Sequence, residues 1–217
     1  MPRKQTTQQE KEDRRGAVLK AAKPVFAAHG YRNTTMDAIA KAAGISVGAV
    51  YLAFPHGKQE IFKILYEESL DNLADSFEEA LNMPATDIRG RICILLYSYI
   101  NFYRHQHQSY LILSGGLMGD HTIIAGDQRL MDKGINILRQ IEQPVIEGVK
   151  QGTIKSQDTF KTVVSLWGMF DGIIMLAEKA RVNGLGLEFR DCYVQGINII
   201  LDGLLADHSS GTTRSGN

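Results

Sequence analysis

Residues 34–62 read TTMDAIAKAAGISVGAVYLAFPHGKQEIF, two short apolar stripes separated by a three-residue break. Met36, Ile39, Ala40 and Ala43 stand at i, i+3, i+4 and i+7, and Val47, Val50, Tyr51 and Phe54 repeat that spacing. Each set therefore falls on one face of a helix. Gly44 can take the left-handed conformation that ends the first helix, Ile45 can fill the angle, and Ser46 can cap the second by accepting from a backbone N–H. The pattern predicts a helix-turn-helix.

A short second helix launched from such a corner fits the major groove of DNA, with its N-terminal residues nearest the bases. Ser46, Val47, Gly48 and Tyr51 are the residues this places at the groove. Thr35, at the start of the first helix of the motif, is expected to cap that helix or contact phosphate. His56 and Lys58 stand at the far corner, with Lys58 expected on phosphate. Gly48 costs about 1 kcal/mol relative to alanine inside a helix, and two explanations compete: close approach to DNA, or close packing of two helices.

The same segment resembles the DNA-binding module of the TetR family of bacterial transcriptional regulators. The resemblance rests on Phe26 and Gly30-Tyr31 in FAAHGYRNTT, Ile39-Ala40 and Ala43-Gly44-Ile45-Ser46, then Gly48, Tyr51, Phe54 and Lys58. It covers roughly the first sixty residues in order. Ala49 stands where the family usually has threonine, which removes a hydroxyl contact to phosphate, and FPHGKQE is one residue longer than the usual form.

Composition fits that resemblance once it is divided along the chain. The 217 residues carry no net charge, yet residues 1–65 hold 11 Lys/Arg against 5 Asp/Glu, net +6, and residues 66–217 hold 13 against 19, net −6. The basic excess lies where DNA would touch. Cys93 and Cys192 are the only cysteines, too few and too far apart for a disulfide framework, and are expected as structural thiols in a reducing cytoplasm. No uninterrupted apolar run reaches the ~18 residues of a membrane span, and the N-terminus MPRKQTTQQEKEDRR has no apolar leader core. A cytoplasmic protein without a membrane partner is expected.

Helical periodicity continues throughout, with no strand pattern of useful length, so the expected class is all-α. Residues 1–9 are expected as a flexible basic arm, with Arg3 and Lys4 in reach of a minor groove. Residues 10–56 form the three-helix DNA-binding domain, 57–207 a larger helical domain for ligand binding and dimerisation, and 208–217 a disordered tail. Expected helices cover about 11–28, with Pro24 inside and Gly30 as its stop, and 58–81, the element connecting the two domains. Further helices are expected over 86–104, 109–118, 123–150 with Pro144 inside, 158–181 with Asp158 as N-cap, and 187–206.

Candidate chemistry is sparse. His105, His107 and His121 with Asp120 and Asp127 lack metal-site spacing, because His-x-His splays its imidazoles about 200° apart on a helix. No catalytic or cofactor motif occurs, so neither a cofactor nor an enzyme is expected. An all-helical enzyme or metal protein is the rival from another class, and an activator or ligand-independent regulator is the closer alternative. The resemblance implies a homodimer on a pseudo-palindromic duplex, released by a small, mainly apolar effector, as a repressor would be. For the dimer surface it points to Trp167, Gly168, Gly172 and Gly196, within TFKTVVSLWGMFDGIIML and FRDCYVQGINIILDGLL. For the effector, Tyr97, Tyr103, Tyr110, Trp167, Phe170 and Asp171 supply aromatic surface with polar handles, though an ordinary core explains them as well.

Overall fold

The structure, a computed structural model, describes residues 8–118 and 121–206. The tail over 208–217 lies outside these residues, as do Arg3, Lys4 and the rest of the arm up to residue 7. Gln8 and Gln9 already belong to α1 (Gln8–Asn33). Ten further helices follow among the described residues: α2 (Met36–Ala43), α3 (Val47–Ala53), α4 (Lys58–Asn82), α5 (Ile88–His105), α6 (His107–Met118), α7 (His121–Ala125), α8 (Gln128–Lys150), α9 (Thr159–Glu178), α10 (Arg181–Gly184) and α11 (Phe189–Leu204). The only β pairing there is an isolated bridge between Ile154 and Leu205.

By internal contacts the chain falls into two compact units. One holds the described residues up to Ser76 together with Tyr99–Gly134, and the other holds Phe77–Ser98 together with the described residues from Ile135 onward. The division groups helices, so α4, α5 and α8 each contribute to both units, whereas the expected domains of 10–56 and 57–207 follow chain order.

In the first unit, α1 packs against α2, α3 and α6. Val18, Ala22 and Phe26 of α1, Ile39 and Ala40 of α2, Val50, Phe54 and Ile61 are all buried. An aromatic cluster fastens α1 to α4: the Phe62 ring meets Phe26 and Tyr31 edge-on, each at 5.2 Å between centroids. Burial there raises the Tyr66 hydroxyl pKa to about 12. Pro24 is accommodated inside α1, and Gly30 (φ 70°, ψ 173°) interrupts the helix before its last turn, where a stop was expected.

The expected single helix over 123–150 is broken into α7 and α8. Asp127 sits in the gap, where its N–H donates to the Ile124 carbonyl (2.8 Å) and its carboxylate accepts from the Leu130 N–H (3.4 Å). It caps α8, and a local cap of this kind competes directly with helix continuation. Asp127 also starts a ladder of charges between α4 and α8. Lys63 pairs with Asp127 at 2.8 Å, Glu67 receives the fork of Arg129, and Lys133 reaches Glu67 at 3.5 Å and Asp71 at 2.5 Å. Lys63, Glu67 and Asp71 recur every four residues, so they line one face of α4.

In the second unit α9 packs on α11, and Asp158 caps α9 as expected by accepting from the Lys161 N–H at 3.0 Å. α9 ends at Glu178, three residues short of the expected Arg181, because Ala180 adopts a left-handed conformation (φ 51°) before α10. Phe170 lies 4.6 Å from the ring of Tyr193, whose hydroxyl donates to the Leu96 carbonyl at 2.8 Å.

Candidate nucleic-acid interface

The break at residues 44–46 forms as its residue types dictate. Gly44 is left-handed (φ 67°, ψ 27°), its N–H donates to the Lys41 carbonyl, and the Ile45 N–H reaches back to the Ala40 carbonyl at 3.1 Å. These two bonds satisfy two of the last four carbonyls of α2, those of Ala40 and Lys41. Ile45 is half-buried at the corner. Ser46 then starts α3 in an extended conformation, its Oγ accepting from the Ala49 N–H at 3.2 Å. Thr35 does the same for α2, accepting from the Ala38 N–H at 3.1 Å, which is the capping role of its two expected ones. α2 and α3 are bent by 97°, within the range of DNA-binding helix-turn-helix corners.

α3 is held by one side and open on the other. Val50 and Phe54 are fully buried, while Tyr51 is 48% and Leu52 80% exposed. A Cβ built on Gly48 meets nothing within 4 Å, so among the described residues no packing contact requires that glycine. Of its two explanations, helix packing within the chain is removed.

Two cations secure the module from behind. The Arg15 guanidinium of α1 donates to the Ala53 carbonyl at the end of α3, pairs with Glu60 at 3.1 Å, and lies 4.2 Å above the Phe54 ring. Glu60 in turn accepts from the His56 N–H at 3.2 Å, while the His56 side chain stays exposed. Lys58 differs from expectation. Its ammonium donates to the carbonyls of Tyr31 (2.9 Å), Thr34 (2.8 Å) and Arg32 (3.3 Å), and lies 4.4 Å over the Tyr31 ring. An ammonium has three N–H donors, so this set occupies all of them, and Lys58 fastens the α1–α2 connection where a phosphate contact was expected. Sequence reading missed the contacts of Arg15 with Ala53 and Glu60, which lie 38 and 45 residues away and leave no local signature. Leu52 did leave one, being apolar beside the α3 stripe.

The other expected sites divide between the units. Tyr103 and Tyr110 stack edge-on at 5.1 Å in the first unit. Tyr97, Trp167, Phe170 and Asp171 belong to the second. Tyr110 and Phe170 are fully buried and serve as core, Tyr97 is 45% exposed and Trp167 half-buried. Asp171 is buried, and no buried side-chain nitrogen or oxygen among the described residues lacks a hydrogen-bond partner. On α9, a Cβ at Gly168 or Gly172 would meet nothing within 4 Å, whereas one at Gly196 would meet Ile173 at 3.2 Å and Phe170 at 3.5 Å. Gly196 therefore lies at the α9–α11 crossing inside the chain. α9 is long and apolar enough by composition to cross a membrane, yet only 22% of that window is buried; Val164, Met169 and Leu176 are exposed on it, as is Ile199 on α11. Both cysteines are free and half-buried, and burial raises the Cys93 thiol pKa. No group of three or more His, Cys, Asp or Glu side chains among the described residues could hold a metal.

Residues 18–65 match the sequence profile of the bacterial regulatory proteins of the tetR family. The chain is 27% identical over 168 residues to the uncharacterised HTH-type transcriptional regulator YhgD of Bacillus subtilis, covering 77% of this chain and 85% of that one. It is 33% identical over 103 residues to the HTH-type transcriptional activator FasR of Mycolicibacterium smegmatis, covering 48% and 46%. Among solved structures, the transcriptional regulator FadR of Bacillus subtilis in complex with stearoyl-CoA superposes with a TM-score of 0.66 at 20% identity, covering 87% of this chain and 98% of that one. At that identity the likeness establishes the fold.

Proposed function

We propose that this chain, whose residues 18–65 match the bacterial regulatory proteins of the tetR family, is a regulator of that family, binds a pseudo-palindromic operator as a homodimer and answers to a small, mainly apolar effector. The observation that carries the DNA reading is the 97° corner whose second helix is capped by Ser46, anchored by Val50 and Phe54, and open at Gly48, Tyr51 and Leu52. Ser46, Val47, Gly48 and Tyr51 face the groove, and the capped start of α2 at Thr35 and the exposed His56 lie toward the sugar-phosphate backbone. One chain presents one such helix, and two half-sites one DNA turn (~34–36 Å) apart need two.

The exposed apolar side of α9, with open space at Gly168 and Gly172, supports a second copy as the partner. A self-complementary patch is what two-fold symmetry requires. The FadR neighbour carries stearoyl-CoA, which supports a long-chain acyl compound as the effector class. α4 starts beside the DNA module at Lys58 and contributes to both units, and this supports it as the route of coupling. Release of the operator by effector would make the protein a repressor acting in the cytoplasm.

Selection from a randomised duplex library with the full chain tests the DNA reading, and an enriched inverted repeat is the expected result. Sedimentation should give a dimer, and Gly168→Leu should weaken both dimer and operator binding. Calorimetry with stearoyl-CoA, with and without the selected duplex, should give affinities differing by ~5–150-fold, because linked binding events alter each other by one common factor. Equal affinities would remove acyl-CoA as the effector. A reporter strain gives the sign of regulation.

A further inference from the structure

We propose that α3 reads its half-site by apolar contact with thymine methyl groups, and that Leu52 sets this preference. The inference rests on the assignment of α3 as the DNA-reading helix and concerns what that helix can recognise. From Ser46 to Phe54 the sequence is SVGAVYLAF, without arginine, lysine, asparagine, glutamine, aspartate or glutamate. The side chains that discriminate bases by paired hydrogen bonds are those of Arg and Lys on guanine, Asn and Gln on adenine, and acids on cytosine. None is present on α3. Ser46 uses its oxygen to accept from the Ala49 N–H, and Tyr51 offers one hydroxyl.

What α3 does present is apolar. Gly48, Tyr51 and Leu52 stand at i, i+3 and i+4 on the exposed side of the helix; Leu52 lies opposite the buried Val50 and Phe54, and Tyr51 lies at the edge between the two sides. Leu52 is 80% exposed, the most exposed of the large apolar side chains among the described residues. Gly48 leaves open space beside it, so the helix backbone can approach a surface closely enough for a leucine to touch it. In the major groove the apolar feature that distinguishes one base pair from another is the thymine C5-methyl. The occupant that complements this face is therefore an A·T pair with its thymine methyl against Leu52. Positive charge in the first 65 residues, net +6, supplies the sequence-independent attraction.

Duplexes recovered from a randomised 30-base-pair library by the full chain serve as the probe. Each thymine is replaced singly by deoxyuridine, which removes only the methyl group. The expected result is about fourfold weaker binding at one or two thymines of each half-site, the loss of roughly one buried methyl. That ratio should persist as salt is raised from about 50 to 200 mM while overall affinity falls, because counterion release concerns phosphates and not methyls. Leu52→Ala, at a position exposed enough to leave folding intact, should abolish the deoxyuridine effect at one position and leave the other unchanged, a coupling read by a double-mutant cycle. Affinity indifferent to every deoxyuridine, a half-site of G·C pairs alone, or an undiminished effect in Leu52→Ala would each overturn the proposal. Failure to recover any specific duplex would overturn the DNA-reading assignment beneath it.

Discussion

Replacing Lys58 by methionine keeps an unbranched apolar stem of nearly the same length, with sulfur at the δ position, and removes the ammonium, so the change chiefly reports the three hydrogen bonds described above. The Tyr31 and Thr34 carbonyls are part-buried and accept at 2.9 and 2.8 Å; the Arg32 carbonyl is exposed and accepts at 3.3 Å. A hydrogen bond to a charged group contributes about 1.5–3 kcal/mol, but water reaches the exposed acceptor and partly replaces the others. Roughly 2 kcal/mol for the set is the appropriate size, and loss of the ammonium above the Tyr31 ring adds about 0.5–1 kcal/mol. At about 2–4 °C per kcal/mol for a chain of this size, Lys58→Met should lower Tm by roughly 5–12 °C. The number of phosphates neutralised should not change, so the slope of log affinity against log salt on the selected duplex should equal that of the parent. Thermal unfolding by circular dichroism and fluorescence anisotropy at several salt concentrations read the two quantities. An unchanged Tm together with a slope smaller by about one would refute the reasoning and put Lys58 on phosphate, as the sequence had suggested.

Gly148→Ala should destabilise the protein by ~1–3 kcal/mol through overpacking, since the added methyl would land on Ile154 and come within 2.9 Å of Ile88; a urea titration checks it. Arg15→Ala should cost ~1–2 kcal/mol in the same assay, reduced by the partial exposure of its side chain, and should also weaken operator binding because it frees the Ala53 carbonyl at the end of α3. Acid should loosen the α4–α8 ladder. The hydrogen bond from Lys63 holds the Asp127 carboxyl below the usual carboxylate range, and that from Arg129 does the same for Glu67. Groups with lowered pKa stabilise fully above their unfolded values and lose that contribution as pH falls through the lowered ones. Amide exchange in the first turn of α8 should therefore accelerate as pH drops below the carboxylate range, after correction for intrinsic rates, and Lys63→Met should flatten that dependence.

The sequence by itself determined whatever depends on neighbours within about four residues. Gly44 had to end α2 and Ser46 had to cap α3 because a left-handed residue and a short side-chain acceptor act on adjacent backbone groups. Asp158 at the start of α9 and the all-helical periodicity follow in the same way. The α7–α8 break at Gly126-Asp127 was within local reach too, because the Asp127 cap acts on adjacent backbone groups, although a single helix over 123–150 was expected there. Only the tertiary structure decided what Lys58 holds, since its acceptors lie 24 to 27 residues away, and what Arg15 holds, 38 and 45 residues away. It also separated three glycines that read alike: Gly196 sits against Ile173 and Phe170, while Gly168 and Gly172 face open space. A side chain's preference for helix or turn acts along the chain, whereas its hydrogen-bond partner is set by which distant backbone arrives beside it. No periodicity records that arrival.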